Sequence, residues 1–179
     1  RLAENLNFET DSSYCYNDSA EYCTKYGRLY KWATAVGKPE SECGYGKICS
    51  LPSGNIQGVC PSGWHVPSKD EWDTLFDAVG GLLTAGKMLK STSGWKNKND
   101  GTSGNGSDDF VFLSLPAGYR KINGTFERVG DFSEFWSSME RDDPSNSDVY
   151  DVAIGYYFDG VIVDYSSRSE GYSVRCVKD

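Results

Sequence analysis

Six cysteines, at positions 15, 23, 43, 49, 60 and 176, limit what this chain can fold into more than any other feature of its sequence. Several pairings are open to six cysteines. Two local ones stand out: Cys15 with Cys23 around a Tyr/Asn/Asp turn, and Cys43 with Cys49 around Gly-Tyr-Gly-Lys-Ile. That leaves Cys60 with Cys176, which would lock the two halves of the chain together. Metal binding is the competing use of cysteine. However, no pair has the two-residue spacing of a zinc knuckle, and His65 is the lone imidazole. Disulfides imply an oxidising compartment, so the expected location is secreted, periplasmic or cell-surface.

The segment that follows Cys60 predicts a helix over 68–80. Ser68 is a good N-cap, Glu71 sits three residues on to close a capping box, and Pro67 precedes the start. Trp72, Leu75, Phe76 and Val79 make one apolar stripe, and Gly80-Gly81 supply the stop. A shorter helical turn is expected over 85–92, and Leu29–Val36 reads as a strand entering a short helix. Residues 40–55 read as a turn-rich loop pinned by Cys43 and Cys49. The second half carries short β-like runs at 110–115, 118–122, 125–129, 134–139, 149–158, 161–165 and 172–177. Asn123-Gly124 and Asp159-Gly160 mark hairpin turns. The expected architecture is a single α+β domain over 1–179, with two short helices packed on an antiparallel sheet and disulfides holding them.

Charge and hydropathy exclude some classes of function. The net charge of -8 argues against nucleic acid as a partner, since phosphate binding needs a basic surface. No run approaches the roughly 18 apolar residues that cross a bilayer, so direct membrane insertion of this segment is not expected. Beginning at Arg1 suggests a processed product. The aromatic load is high, with 5 Trp, 12 Tyr and 8 Phe.

Seven ordered motifs carry a resemblance that runs nearly end to end. They are AENLNFE (3–9), YGRLYKWA (26–33), CPSGWHVPSKDEW (60–72), LKSTSGW (89–95), LPAGYR (115–120), FWSSME (135–140) and SVRCVKD (173–179). Together they resemble the Fibrobacter succinogenes major paralogous domain, whose members are bacterial, extracytoplasmic and often multi-copy, with no settled biochemical role. The pattern also resembles, more distantly, the C-type-lectin-like fold in its formylglycine-generating-enzyme variety. That resemblance implies a C-type-lectin-like scaffold with ligands met by loops around the late strands. It does not imply the oxidase activity, because a reactive late cysteine pair is absent and Cys176 is assigned to a disulfide.

Candidate binding residues follow from these features. Trp95, Tyr119, Tyr156, Tyr157 and Tyr165 are candidate platforms for sugar rings, whose C–H faces stack on aromatic faces. Trp72, Phe76 and Trp136 are assigned to the core. Tyr156 and Tyr157 are neighbours, so at most one can face inward if both lie in a strand. In the late loops, Arg141, Asp142, Asp143 and Arg168 offer hydrogen bonds to a ligand. Asp100, Asn105, Asp108 and Asp109 gather oxygen on a glycine-rich loop, a weak calcium signal without the EF-hand spacing. Otherwise no cofactor is expected, and no side-chain constellation marks a catalytic site. The expected function is a non-enzymatic extracellular recognition or adhesion module for glycan or protein. The rival expectation is a structural subunit of a surface filament or envelope assembly, which would self-associate.

Overall fold

The computed structural model describes residues 4–141 and 147–179. From the N-terminus the chain forms β1 (Ser13–Tyr14), a 3-10 turn (Tyr16–Asp18), α1 (Ala20–Tyr26), β2 (Leu29–Lys31), α2 (Trp32–Ala35), α3 (Glu40–Cys43), β3 (Trp64–His65), α4 (Lys69–Ala78) and α5 (Ala85–Leu89). Seven strands follow: β4 (Ala117–Arg120), β5 (Phe126–Val129), β6 (Phe132–Glu140), β7 (Asp148–Gly155), β8 (Ile162–Ser167), β9 (Gly171–Ser173) and β10 (Val177–Lys178). The main sheet has the order β1-β2-β9-β4-β6-β7-β8, with β5 paired to β4. A second, two-stranded sheet joins β3 to β10.

Alternation along β6 builds two cores, because successive side chains leave opposite faces of the sheet. Phe135 points to the side covered by α4 and α5, where it meets Trp72, Phe76, Leu89, Phe112 and Ile154. Trp136 points to the other side, against Trp32, Val66, Tyr172 and Val174. The buried indoles find backbone acceptors, as wet-ended aromatics must when they leave water. Trp32 Nε1 donates to Ser137 O at 2.8 Å, and Trp136 Nε1 donates to Tyr30 O at 2.6 Å.

The α4 terminus follows the sequence signals. Ser68 Oγ accepts from Glu71 N, while Glu71 reaches back to Ser68 N at 2.9 Å. At the far end Gly80 adopts φ +105°, a conformation that favours glycine. The Gly81 N–H then closes onto Phe76 O at 2.8 Å.

All six cysteines are paired, as Cys15–Cys23, Cys43–Cys49 and Cys60–Cys176. The last bond lies beside the β3–β10 pair. There buried His65 sits between Glu71 Oε1 and Asp179 Oδ1, each at 2.7 Å.

Several expectations change. The sheet is mixed, not antiparallel, because β6 pairs in parallel with both β4 and β9. Five short α-helices replace two among the described residues. The 40–55 region begins with α3 before becoming a loop, and α1 starts inside the segment closed by Cys15–Cys23 and runs beyond it. Residues 110–115 are not a strand: Val111 and Leu113 hold φ +53° and +56°. Their backbone hydrogen bonds go elsewhere, Leu113 N to Asp108 Oδ1 at 2.7 Å and Phe112 O to Arg175 Nη1 at 2.6 Å. Only Phe112 of this run reaches the core, whereas Phe110, Val111 and Leu113 stay exposed. The 149–158 run ends as a strand at Gly155, which leaves Tyr156 and Tyr157 in the following turn.

Closing a loop with a sequence separation of 116 makes the Cys60–Cys176 bond the largest constraint on the unfolded chain. Its replacement by two alanines is expected to cost about 4–5 kcal/mol in the chain-entropy account. Urea unfolding under non-reducing conditions measures this. A loss no larger than that from removing Cys43–Cys49 would contradict it.

Candidate functional site

Three connections converge at one end of β7. The β7–β8 turn (156–161), the β5–β6 turn (130–131) and the loop 95–106 are joined through backbone groups. Tyr156 N donates to Asp131 O and Lys96 N donates to Gly130 O, both at 2.9 Å. Gly104 is required for this approach, since a Cβ there would stand 2.1 Å from Lys96 O and 2.9 Å from Tyr156 O. Helix α5 supports the β7–β8 turn from below. A Cβ on Gly86 would lie 1.9 Å from Gly160 O, and Lys87 N donates to Asp159 O at 2.7 Å. Lys90, wholly buried, donates from Nζ to Gly155 O at 3.1 Å and Phe158 O at 3.0 Å. Burial pushes its ammonium down to about 8, which still leaves the lysine charged at neutral pH.

On this frame four aromatic rings form a cluster, an aromatic ladder in which Tyr157 touches each of the other three. Phe132 meets Tyr157 at 5.7 Å, Tyr157 meets Tyr156 at 5.5 Å, and Tyr157 meets Phe158 at 4.8 Å between centroids. Tyr157 is 47% exposed, so part of its ring is open to solvent. Cations flank the ladder, with Arg128 5.9 Å from the Phe132 centroid and Lys96 5.3 Å from that of Tyr156. Both pair with Asp131, and Tyr156 OH donates to Asn99 Oδ1 at 3.4 Å. The arrangement can stack an apolar ring face and bond hydroxyl or charged substituents at its edge.

Of the residues picked from the sequence, Tyr156 and Tyr157 belong to this surface. Trp95 is corrected to core: it is 5% exposed, and its Nε1 donates to Ser91 Oγ at 3.0 Å and Ser114 O at 3.1 Å. Arg168 is likewise structural and 2% exposed. It ion-pairs with Glu140, stacks on Trp32 and donates to the carbonyls of Cys43, Lys47 and Ser147. Arg141 and Tyr165 do come together, with the guanidinium 4.6 Å from the ring centroid and Tyr165 OH donating to Tyr150 OH at 2.9 Å. They lie at the other end of β7, about 20 Å from Tyr157 by strand rise. Asp142 and Asp143 lie outside the described residues. Tyr119 is half-buried, edge-on to Tyr172 at 5.9 Å.

The four oxygen-bearing residues of the glycine-rich loop do not converge. Asp100 Oδ1 accepts from Thr102, Asn105 Oδ1 from Trp95 N, and Asp108 Oδ1 from Leu113 N, while Asp109 is exposed. Among the described residues no group of three or more His, Cys, Asp or Glu is placed to hold a metal ion.

One further cluster had no signal in the sequence. Glu134 on β6 and Asp151 on β7 are buried side by side and hydrogen-bonded, with Asp164 and Glu170 nearby. Burial raises both carboxyls, and the neighbouring negative charges add to it; Asp151 is lifted to about 7. In the unfolded chain both would titrate near the usual carboxylate value of about 4. The folded state therefore binds more protons between about pH 4 and about 7, and stability is lost as pH rises through that window. Carboxylate hydrogen bonds raise His65 against its burial and act in the same direction. The difference between parent and Glu134→Gln isolates the pair. The variant is expected to melt higher than the parent at pH 8 and to show a flatter melting profile against pH. Parallel profiles would contradict the assignment.

Fold and surface thus define a disulfide-held α+β domain that exposes an aromatic ladder. The chain belongs to the family of the Fibrobacter succinogenes major domain, whose model matches residues 1–178. No curated protein and no solved structure matches it. The three disulfides fit an oxidising, extracellular environment, and no helix among the described residues is long and apolar enough to cross a membrane.

Proposed function

We propose that the domain is a non-enzymatic recognition module of the bacterial cell surface, which binds glycan on the ladder of Phe132, Tyr156 and Tyr157. The observation that carries this is the exposure of Tyr157 on a turn fixed by Lys90, Gly86 and Gly104. A rigid ring offered to solvent loses little conformational freedom on binding, so stacking energy is kept as affinity. The C-type-lectin-like resemblance implies ligand at the loops of Arg141 and Arg168, whereas the surface proposed here lies at the other end of β7.

On a glycan array, Tyr157→Ala is expected to weaken binding about tenfold or more, equivalent to about 1.4 kcal/mol, with an unchanged melting temperature. Binding that survives this substitution would contradict the proposal. Chelator is expected to leave binding unchanged; loss of binding in chelator would return the 99–109 loop to a calcium role. A structural subunit is the second reading, favoured by the exposure of Ile48 at 85%, Leu83 at 86% and Val111 at 70%. Concentration-dependent assembly in sedimentation velocity, undisturbed by Tyr157→Ala, would support it.

A further inference from the structure

Two cations stand over rings of the aromatic ladder. Arg128 and Lys96 stand beside different rungs, their side chains 53% and 59% exposed. The carboxylate they share, Asp131, is 16% exposed and lies beneath them. Its oxygens are 3.6 Å from Arg128 Nη1 and 3.7 Å from Lys96 Nζ. Both separations exceed hydrogen-bond length, about 2.7–3.2 Å for N–H to O, so the cations are steered by Asp131 without committing their donors to it. Ligand would therefore meet two outward cations beside apolar ring faces, on a chain whose net charge is -8.

The backbone at Arg128 is strained. Arg128 holds φ +68°, in the left-handed region that a long side chain rarely occupies. The turn it opens is closed by Asp131 N donating to Arg128 O at 2.9 Å. Glycine would satisfy this conformation without strain, as it does two residues on at Gly130, where φ is +84°. Arg128 holds this conformation with its guanidinium 5.9 Å from the Phe132 centroid.

We infer that this surface binds acidic sugars, with a uronate ring on Tyr157 and Phe132 and its carboxylate held by Arg128, assisted by Lys96. The inference rests on the glycan-binding proposal above and narrows its ligand class. Guanidinium offers paired parallel donors to a carboxylate, whereas the ammonium of Lys96 supplies a point charge.

The test compares an oligogalacturonate with its fully methyl-esterified form, which keeps the rings and removes the charge, by calorimetric titration. The acid is expected to bind about tenfold more tightly at low salt, since one charge-assisted contact is at stake. The advantage shrinks in concentrated salt. Arg128→Gln is expected to bring the acid down to the affinity of the ester and leave the ester unchanged. Arg128→Gly is expected to do the same while melting higher than the parent, because the backbone strain is relieved. Tyr157→Ala should remove both ligands. Equal affinity for acid and ester, or equal weakening of both by Arg128→Gln, would overturn the acidic preference and leave the platform standing. Binding of the acid that survives Tyr157→Ala, or no binding of either form, would overturn the platform together with the preference.

Discussion

One covalent bond encloses nearly everything that matters in this domain. Cys60 and Cys176 bracket α4, α5 and strands β4 to β9, so the whole ladder-bearing part of the sheet is a loop closed at its base. The β3–β10 pair lies at that base and presents His65 between Glu71 and Asp179. Glu71 is also the reciprocal member of the α4 capping box. The disulfide, the small sheet and the helix start therefore form one corner, and α4 leaves it at a fixed angle to cover Phe135 and Ile154.

Beyond that corner, close backbone approach and a buried charge fix the proposed binding surface. Helix α5 touches the β7–β8 turn through Gly86 and Gly160 with no side chain between them. Lys90 then clamps both sides of the same turn, at Gly155 and Phe158. An ammonium removed from water is costly unless its donors are met, and here two carbonyls meet them. What reaches solvent is a turn that cannot easily relax, carrying Tyr157 where a ligand can stack on it. Strands β6 and β7 also bury Glu134 beside Asp151, and their raised carboxyls cost the scaffold stability as pH rises from about 4 to about 7.

Local chemistry was the part of this structure that could be read in advance. The capping box of α4, its glycine stop and the two hairpin turns depend on residues near one another in the chain, and each occurs where its signal stands. The 60–176 pairing followed from setting the two local pairs aside. Long-range satisfaction was not legible. Arg168 sits in a polar, irregular stretch, and nothing near it announces Glu140, Trp32 and three distant carbonyls as its partners. Trp95 looked available because polar residues follow it, but its acceptors are Ser91 and Ser114 O on segments folded back over it. The 110–115 run has strand composition, yet Asp108 and Arg175 take its backbone groups and bend it out of the sheet. The ladder itself was half visible: Tyr157 was marked by its neighbour Tyr156, whereas Phe132, Arg128 and Lys96 join it only through the tertiary meeting of three loops.

The central claim is that ligand meets this protein at the end of β7 marked by Tyr157, not at the end marked by Arg141 and Tyr165. Backbone amide shifts followed by NMR during titration with oligogalacturonate test it directly. The account predicts shifts confined to Lys96–Asn99, Arg128–Phe132 and Tyr156–Phe158. Shifts centred on Tyr150, Tyr165 and Arg141, or on the face of α4 around Leu75, would contradict it.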